Sequence, residues 1–435
     1  MSSELVGVIG LMVFLALLIL RIPIAYVMLL TGILGFSILR SPSAALSMAA
    51  TEIYSSFSSY SLSVIPMFIW MGFIAYYSGV GSNLYKLTYK LVGHKPGGLA
   101  MATQAACALF GAICGSNTAT AATMGAIALP EMRKYKYDDS LSSASVAAGG
   151  AIGVLIPPSV IFIVYGISSE QSIGKLFIAG IIPGILLTVL YMIAIYIVTS
   201  RNPSLGPAGP KTHLKEAIPV LKNGLLEVIV TFCISLGGLF AGWFTPTEAG
   251  AVGAASILLI TILRRRLSWK NFRKSLLDTT RTTSMIMLMV AGAVVFGRFI
   301  AISRLPFALA NWAANISLPS FAVMAIILLI CFALGCFIDA LALILLTIPI
   351  FYPVVVNILG YDPIWFGVII VLVVAMGVIT PPVGMNVFII KGVAPDIPTE
   401  TIFKGVWPFI VALFICMGLL IAFPQLATFL PGLLT

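Results

Sequence analysis

The sequence predicts an all-α, polytopic membrane protein whose two halves repeat one plan. Of its 435 residues, 60% are hydrophobic and only 9% are charged, whereas soluble globular proteins are roughly 25% charged. The apolar residues form runs long enough for membrane helices, which need about 20 residues each. In each half, two of these runs are interrupted at matching positions by polar residues or prolines.

The repeat appears when the sequence is shifted against itself by 224 residues without a gap. The shift matches Gly111 with Gly335, Tyr137 with Tyr361, Asp138 with Asp362, Gly153 with Gly377, and Pro157-Pro158 with Pro381-Pro382. Each copy contains two short apolar arms around a polar break, a Tyr-Asp turn, and an apolar helix interrupted by two prolines. We therefore expect the two halves to share one fold.

Residues 98–134 and 320–357 each predict a re-entrant helical hairpin. Their polar breaks, GSNT from Gly115 and GCFID from Gly335, leave arms of about 15 residues, which are too short to cross a hydrocarbon core. A non-helical tip at the midplane is tolerated where it faces protein or a water-filled cavity. Both tips should therefore lie inside the protein.

Two broken helices are expected at residues 141–167 and 364–390, because consecutive prolines remove two amide donors and free the carbonyls one turn back. Around these elements we assign four regions. They are N-terminal scaffold helices in 1–97, a first repeat core in 98–200, a linker with scaffold helices and a basic loop in 201–283, and a second repeat core with a final helix in 284–435. Lys86, Lys90, His94 and Lys95 are assigned to a loop, and so is the basic block from Arg264 to Arg281.

Loop charge predicts the orientation of the chain. The net charge of +10 comes from bases in loops between apolar runs, as the positive-inside rule describes, so a nucleic-acid partner is not expected. With the loop at residues 86–95 in the cytoplasm, nearly all Lys and Arg residues fall on that side. The exceptions are Arg40, Lys175, Arg298 and Arg304. The second hairpin then enters from the opposite side to the first, which makes the repeat inverted.

Inverted repeats with broken helices that meet at the midplane are typical of secondary transporters, which bind substrate and coupling ion at the repeat interface. Ser116, Asn117 and Thr118 supply side-chain oxygens suited to Na⁺ at the first tip; alternatively, they only satisfy a turn. Asp339 is an ionisable group at the second tip, and a charge at that depth needs a cation or a donor. Thr380 and Asn386 flank Pro381-Pro382 and could add ligands.

Arg298 and Arg304 are candidate contacts for a substrate carboxylate, which a guanidinium binds well. The alternatives for Arg298 are a salt bridge or snorkelling to the interface. Other classes of protein fit less well. The chain has no GxxxxGK motif for ATP, its six cysteines lack CxxC pairing, and both histidines fall in predicted loops, which argues against an intramembrane enzyme. An ion antiporter and a channel stay open as alternatives.

Six stretches of the sequence resemble the large membrane (M) subunit of tripartite ATP-independent periplasmic (TRAP) transporters, of the ion transporter superfamily. They are GSNTAT, ALPEMRKYKYD, GVLIPPS, FTPTEAGAVGA, GCFIDALALILLTIPIFYP and VITPPVGMNVF. The resemblance implies Na⁺-coupled import of an organic acid such as a sialic acid or C4-dicarboxylate across the bacterial inner membrane. It also implies an elevator mechanism, a periplasmic solute-binding protein (P type) and a separate small four-helix membrane subunit (Q type).

The resemblance further implies where ions and substrate bind. One Na⁺ site would use Ser116, Asn117 and Thr118 with carbonyls near Gly153 and Pro157. A second would use Gly335, Asp339, Thr380 and Met385. Substrate would lie between the tips, in contact with Asn117 and with Arg298 or Arg304. The alternative is a binding-protein-independent Na⁺/dicarboxylate symporter, or an ion antiporter, of the same superfamily.

Overall fold

The structure is a computed structural model that describes residues 2–20, 22–209, 225–315 and 318–433. Within these ranges the regular secondary structure is helical, without a β-strand. The first ten helices are α1 Ser3–Ile19, α2 Ile24–Leu39, α3 Pro42–Ser58, α4 Val64–Tyr77, α5 Val80–Val92, α6 Gly98–Cys114, α7 Asn117–Lys134, α8 Asp139–Ile152, α9 Val160–Ser168 and α10 Ile173–Arg201.

Ten more helices follow the predicted linker, of which residues 210–224 lie outside the described ranges. They are α11 Leu226–Phe240, α12 Pro246–Leu263, α13 Trp269–Ile302, α14 Leu305–Asn315, α15 Ser320–Gly335, α16 Ala340–Tyr352, α17 Pro363–Gly377, α18 Met385–Val393, α19 Thr399–Ala422 and α20 Gln425–Gly432. A π-helical turn, Cys233–Gly237, interrupts α11, and another, Pro353–Ile358, extends α16.

A frame of long helices forms around α13, which packs along α2 and against α3 and α4. Small residues allow this close approach. A Cβ on Gly32 would lie 2.9 Å from the Phe296 backbone nitrogen, and one on Gly292 would lie 2.8 Å from the Ala25 carbonyl oxygen. Helices α1 and α2 pack together on either side of the turn at Pro23.

Two helices are buried on every side, namely α8 from Leu141 and α17 from Ile364. Around α8 pack α6, α7 and α19, whereas α17 packs against α15 and α10. A helix that is apolar all round belongs in the interior of a protein. In α8 the buried residues are mainly alanine, serine and glycine, because small side chains let four helices pack closely.

The repeated Tyr-Asp turns begin these two buried helices. Asp138 Oδ1 accepts a hydrogen bond from the Ser140 amide at 2.9 Å, and Asp362 Oδ1 accepts one from the Trp365 amide at 2.7 Å. Each aspartate is therefore an N-cap, which satisfies an amide that lacks a helical partner. The Tyr137 hydroxyl accepts from the Leu99 amide at 3.1 Å and so also caps the start of α6.

Two segments predicted as loops are helical. Lys86 and Lys90 lie on α5, whose apolar side, including Leu84 and Leu87, is buried. Most of the basic block, from Trp269 onward, forms the first turns of α13. In both cases charged residues occupy the outer side of an amphipathic helix. The prediction of a loop is wrong there, because a high density of charges is compatible with either structure.

The arms of the expected hairpins are longer than predicted. α6 and α7 have 17 and 18 residues, and α16 with its π-helical extension has 19. In the described ranges, six helices are long and apolar enough to cross a membrane, and Ala340–Ile358 is one of them. The chain is thus a multi-pass membrane protein, and arm length alone does not decide whether a hairpin spans.

Candidate functional site

The two polar breaks face one cavity of about 420 Å³. Ser116, Asn117 and Thr118 line it from the first break. Asp339, Ala340 and Leu341 line it from the second. Helices α4 and α13 of the frame form the facing wall. Two segments more than 200 residues apart in sequence thus contribute to one site.

The first break is shaped by a left-handed residue and an N-cap. Helix α6 ends at Gly115, whose φ of +61° favours glycine. Ser116 caps α7 by accepting from the Ala119 amide at 3.4 Å, and its hydroxyl lies 3.1 Å from that of Thr118. The Gly115 carbonyl accepts from the Val160 amide at 3.3 Å. The tip is therefore held against the Pro157-Pro158 break of the first repeat.

Oxygen atoms converge beside Gly153, where α8 ends. A Cβ placed on Gly153 would lie 2.9 Å from Thr120 Oγ1 and 3.3 Å from the carbonyl oxygens of Ser116 and Gly150. The Thr120 hydroxyl is fully buried and lacks a hydrogen bond of ordinary geometry; the thiol of Cys114, a weak hydrogen-bonding group, lies beside it. A buried hydroxyl without such a bond is unusual and calls for a ligand. The convergence is suited to a small hard cation, which prefers oxygen ligands.

Sequence reasoning missed Thr120 and Gly150. Thr120 follows Ser116 by four residues and so lies on the same face of α7, a relationship that helical periodicity could have indicated. Gly150 could not have been found in this way, because its carbonyl reaches the site only through the packing of α7 on α8. Pro157 is buried nearby, as expected of a residue at this break.

An asparagine pair joins the first tip to the second repeat. The Asn117 side-chain amide lies 3.5 Å from Asn386 Oδ1, and Asn386 Nδ2 donates to the Ala147 carbonyl at 2.9 Å. Asn386 is fully buried near the start of α18. It therefore connects α18 with both α7 and α8, and it fixes the position of the second broken helix relative to the first hairpin.

The second break places one carboxylate at the cavity. Asp339 caps α16, since its Oδ1 accepts from the Leu341 amide at 3.0 Å. Gly335 lies against Gly377 at the break of the second helix. The Thr380 hydroxyl donates to the Met376 carbonyl at 2.7 Å, and Met385 is the first residue of α18. Of the residues predicted for the second Na⁺ site, only Asp339 lines the cavity; that site stays a prediction.

Both candidate arginines lie away from this cavity. Arg298 Nε donates to Glu52 Oε1 at 2.7 Å, which is the salt bridge considered as its alternative role. Arg304 lines a second cavity, of about 820 Å³, between α14 and the far end of α16, together with Asn311 and Asn357. The structure therefore separates the arginines from the residues at the two breaks.

Comparison with known proteins identifies the family. The family model described as "Tripartite ATP-independent periplasmic transporter, DctM component" matches residues 11–426. The chain is 35% identical over 421 residues to the sialic acid TRAP transporter large permease protein SiaM of Vibrio cholerae, with 97% of each chain covered. It is 34% identical over 384 residues to the C4-dicarboxylate TRAP transporter large permease protein DctM of Pseudomonas aeruginosa, covering 88% of this chain and 89% of that protein.

Solved transporters share the fold at low sequence identity. The YdaH transporter of Alcanivorax borkumensis aligns with a TM-score of 0.65 and 14% identity, covering 88% of this chain and 90% of that one. MtrF of Neisseria gonorrhoeae aligns with a TM-score of 0.58 and 16% identity, covering 86% and 83%. These likenesses concern the fold alone. From the family match and the two permeases together, the chain belongs to the TRAP transporter family as its large membrane subunit.

Proposed function

We propose that the chain imports an organic acid in symport with Na⁺, binding both in the cavity between its two breaks. The single observation that carries this proposal is that both breaks line one cavity, with Asp339 on one side and Ser116, Asn117 and Thr118 on the other. Chains of this family are transporter permeases rather than enzymes.

Na⁺ is supported by the oxygens beside Gly153. Thr120 Oγ1 and the carbonyls of Ser116 and Gly150 would hold the ion, and the Thr120 hydroxyl, which otherwise has only the Cys114 thiol beside it, would gain a ligand. The bound ion would supply positive charge at the tip of the first hairpin. The carboxylate of Asp339 supports a second cation at the other tip, because a charge at a membrane midplane needs compensation.

An organic anion is supported by the two helix N-termini that open on the cavity. α7 and α16 begin at Asn117 and Ala340, and the residues of both first turns line the cavity. Backbone amides in the first turn of a helix lack helical partners, and the helix dipole favours negative charge there. At α16 the Asp339 carboxylate already accepts from the Leu341 amide, so the first amides of α7 are the ones left for a substrate. Substrate would thus bind between the tips, with Asn117 in contact.

An inverted repeat and an elevator movement complete the proposal. The breaks, α8 and α17 would form one rigid body that slides along α4 and α13, carrying the cavity from one membrane side to the other. This is supported by the position of the cavity at the border between the breaks and the frame. The hairpins would be re-entrant and oppositely inserted, as the loop charges favour.

The family description supports two partners, a periplasmic solute-binding protein and a small membrane subunit, at the bacterial inner membrane. Sequence identity does not indicate which acid is the substrate, since relatives at 30–35% identity are named for sialic acid, C4-dicarboxylates and 2,3-diketo-L-gulonate. A binding-protein-independent symporter or an antiporter of the same superfamily is the alternative.

The test compares two N-capping aspartates. Asp339→Asn keeps a good capping residue and removes the charge at the cavity, whereas Asp362→Asn makes the same change at the start of α17, outside the cavity. The purified chain should melt at a higher temperature in NaCl than in KCl, and Asp339→Asn should reduce this difference while Asp362→Asn keeps it. Uptake of the organic acid into proteoliposomes is the second measurement. The proposal would be overturned if uptake continued when KCl replaced NaCl, or if Asp339→Asn left uptake intact.

A further inference from the structure

The cavity between the breaks has a polar wall and an apolar wall. The hydroxyl, amide and carboxylate groups of Ser116, Asn117, Thr118 and Asp339 lie on the side of the breaks. The opposite wall, from α4 and α13, consists mainly of the hydrocarbon of Ile69, Phe73, Met285 and Ile286, and it also carries the hydroxyls of Tyr76 and Thr282. A molecule that fills this space contacts polar groups at one end and hydrocarbon at the other.

Cationic side chains are missing from this cavity. Among the described residues that line it, none is Lys, Arg or His, and Asp339 is the one charged side chain. One carboxylate can be held at the breaks by amides and bound cations. A second carboxylate, pointing toward α4 and α13, would meet Ile69, Phe73 and Met285. Desolvating a charge there without a partner is strongly unfavourable.

We infer that the substrate is a small monocarboxylate with an apolar body, such as a branched-chain or aryl acid, rather than a dicarboxylate or a polyhydroxylated sugar acid. The carboxylate lies at the N-terminus of α7, and the hydrocarbon part packs on Phe73 and Met285. The several hydroxyls of a sugar acid would lose water on this wall and find only the hydroxyls of Tyr76 and Thr282 as partners among its side chains. This inference rests on the proposed function, because it assigns the breaks to the anion.

The experiment measures binding to the purified full-length chain, in nanodiscs with NaCl, by isothermal titration calorimetry. The probes are isovalerate and phenylacetate as monocarboxylates, succinate as a dicarboxylate and N-acetylneuraminate as a sugar acid. We expect either monocarboxylate to bind at least about tenfold more tightly than the other two acids, because only they leave no charge or hydroxyl unpaired at the apolar wall.

A positive charge added to the wall opposite the breaks should allow a dicarboxylate to bind. Met285→Arg puts a guanidinium opposite the breaks, and Met285 is 59% exposed, so the longer side chain has room. Succinate should then bind at least about tenfold more tightly than it binds the wild type. The matched control is Leu277→Arg, an exposed position on the same helix away from the cavity, which should leave the ranking unchanged.

The outcomes separate this inference from the function it rests on. Tighter binding of succinate or N-acetylneuraminate by the wild type, with Na⁺ dependence intact, would overturn the substrate class and leave the symport proposal standing. The absence of any binding of either monocarboxylate, in NaCl or in KCl, would also overturn it. Preferred but Na⁺-independent binding of a monocarboxylate would support the class and contradict Na⁺ coupling. The wild-type ranking decides even if Met285→Arg fails to fold.

Discussion

Gly377 lies directly against Gly335: a Cβ on Gly377 would stand 2.9 Å from the Gly335 Cα, at the contact between α17 and α15. The matching pair 224 positions earlier is also in contact, since a Cβ on Gly111 would stand 2.7 Å from the Gly153 Cα. In each half, the end of the first hairpin arm touches the end of the first part of the broken helix. The matching glycines of the sequence repeat therefore mark one packing contact used twice.

Gly377→Ala tests this contact. The added methyl group would overlap backbone that has little room to move, so we expect a loss of roughly 1–3 kcal/mol in the free energy of unfolding. The measurement is thermal unfolding in detergent. The control is Gly418→Ala in α19, where a Cβ would meet no atom within 4 Å. That change should stabilise the helix by about 0.5–1 kcal/mol. Equal melting temperatures for the two variants would contradict this account.

Thr120→Val tests the cation site beside Gly153. Valine has nearly the same shape but no hydroxyl, so among protein groups the change removes only the weak contact of that hydroxyl with the Cys114 thiol. We expect the fold to persist and the NaCl concentration for half-maximal thermal stabilisation to rise at least about tenfold, since an oxygen ligand is lost. Thr123→Val on the same helix is the control, because its hydroxyl donates to the Ala119 carbonyl at 2.6 Å. An unchanged Na⁺ midpoint in Thr120→Val would exclude Thr120 as a ligand.

Asn386→Ala tests the link between the halves. Asn386 is fully buried. The change removes its hydrogen bond to the Ala147 carbonyl and also removes the acceptor beside the Asn117 side-chain amide. Leaving such groups unsatisfied costs about 1–3 kcal/mol, and Na⁺-dependent stabilisation should weaken because the first tip loses a support. For comparison, Asn271→Ala removes a partly buried bond to the Tyr77 carbonyl in the frame and should leave the response to Na⁺ intact. A normal response in Asn386→Ala would argue against the link.

Arg298 and Glu52 allow a test between a substrate role and a structural one. If Arg298 serves only the salt bridge between α13 and α3, then Arg298→Gln and Glu52→Gln should lower the melting temperature by the same small amount. Neither should change the affinity for substrate, because Arg298 lies outside the cavity. The pair is partly exposed, so its contribution is modest. A loss of substrate affinity in Arg298→Gln alone would restore the carboxylate-binding role predicted from the sequence.

The positions of several residues on helices differ from what the sequence predicts. The bases of α5 and of the start of α13 lie on the outer sides of helices, where their charge density resembles that of a loop and only the helical periodicity distinguishes the two. Thr120 lies one helical turn after Ser116 and outside the GSNT break, so the break itself does not indicate it. Asn386 was noticed only as a possible ligand, whereas the structure gives it buried contacts to α7 and α8.

The sequence by itself determined the class of the protein, the positions of the two polar breaks and the family, because composition, glycine and proline positions and N-capping aspartates act locally along the chain. Re-entrant hairpins in an inverted repeat stay a prediction. Only the tertiary structure decided that Ser116 and Asp339 share a cavity, that Gly150 and Thr120 meet beside Gly153, and that Arg298 pairs with Glu52. These relationships depend on how α7 packs on α8 and α13 on α3. Such packing is set by side-chain shape summed over many distant residues, which no local pattern records.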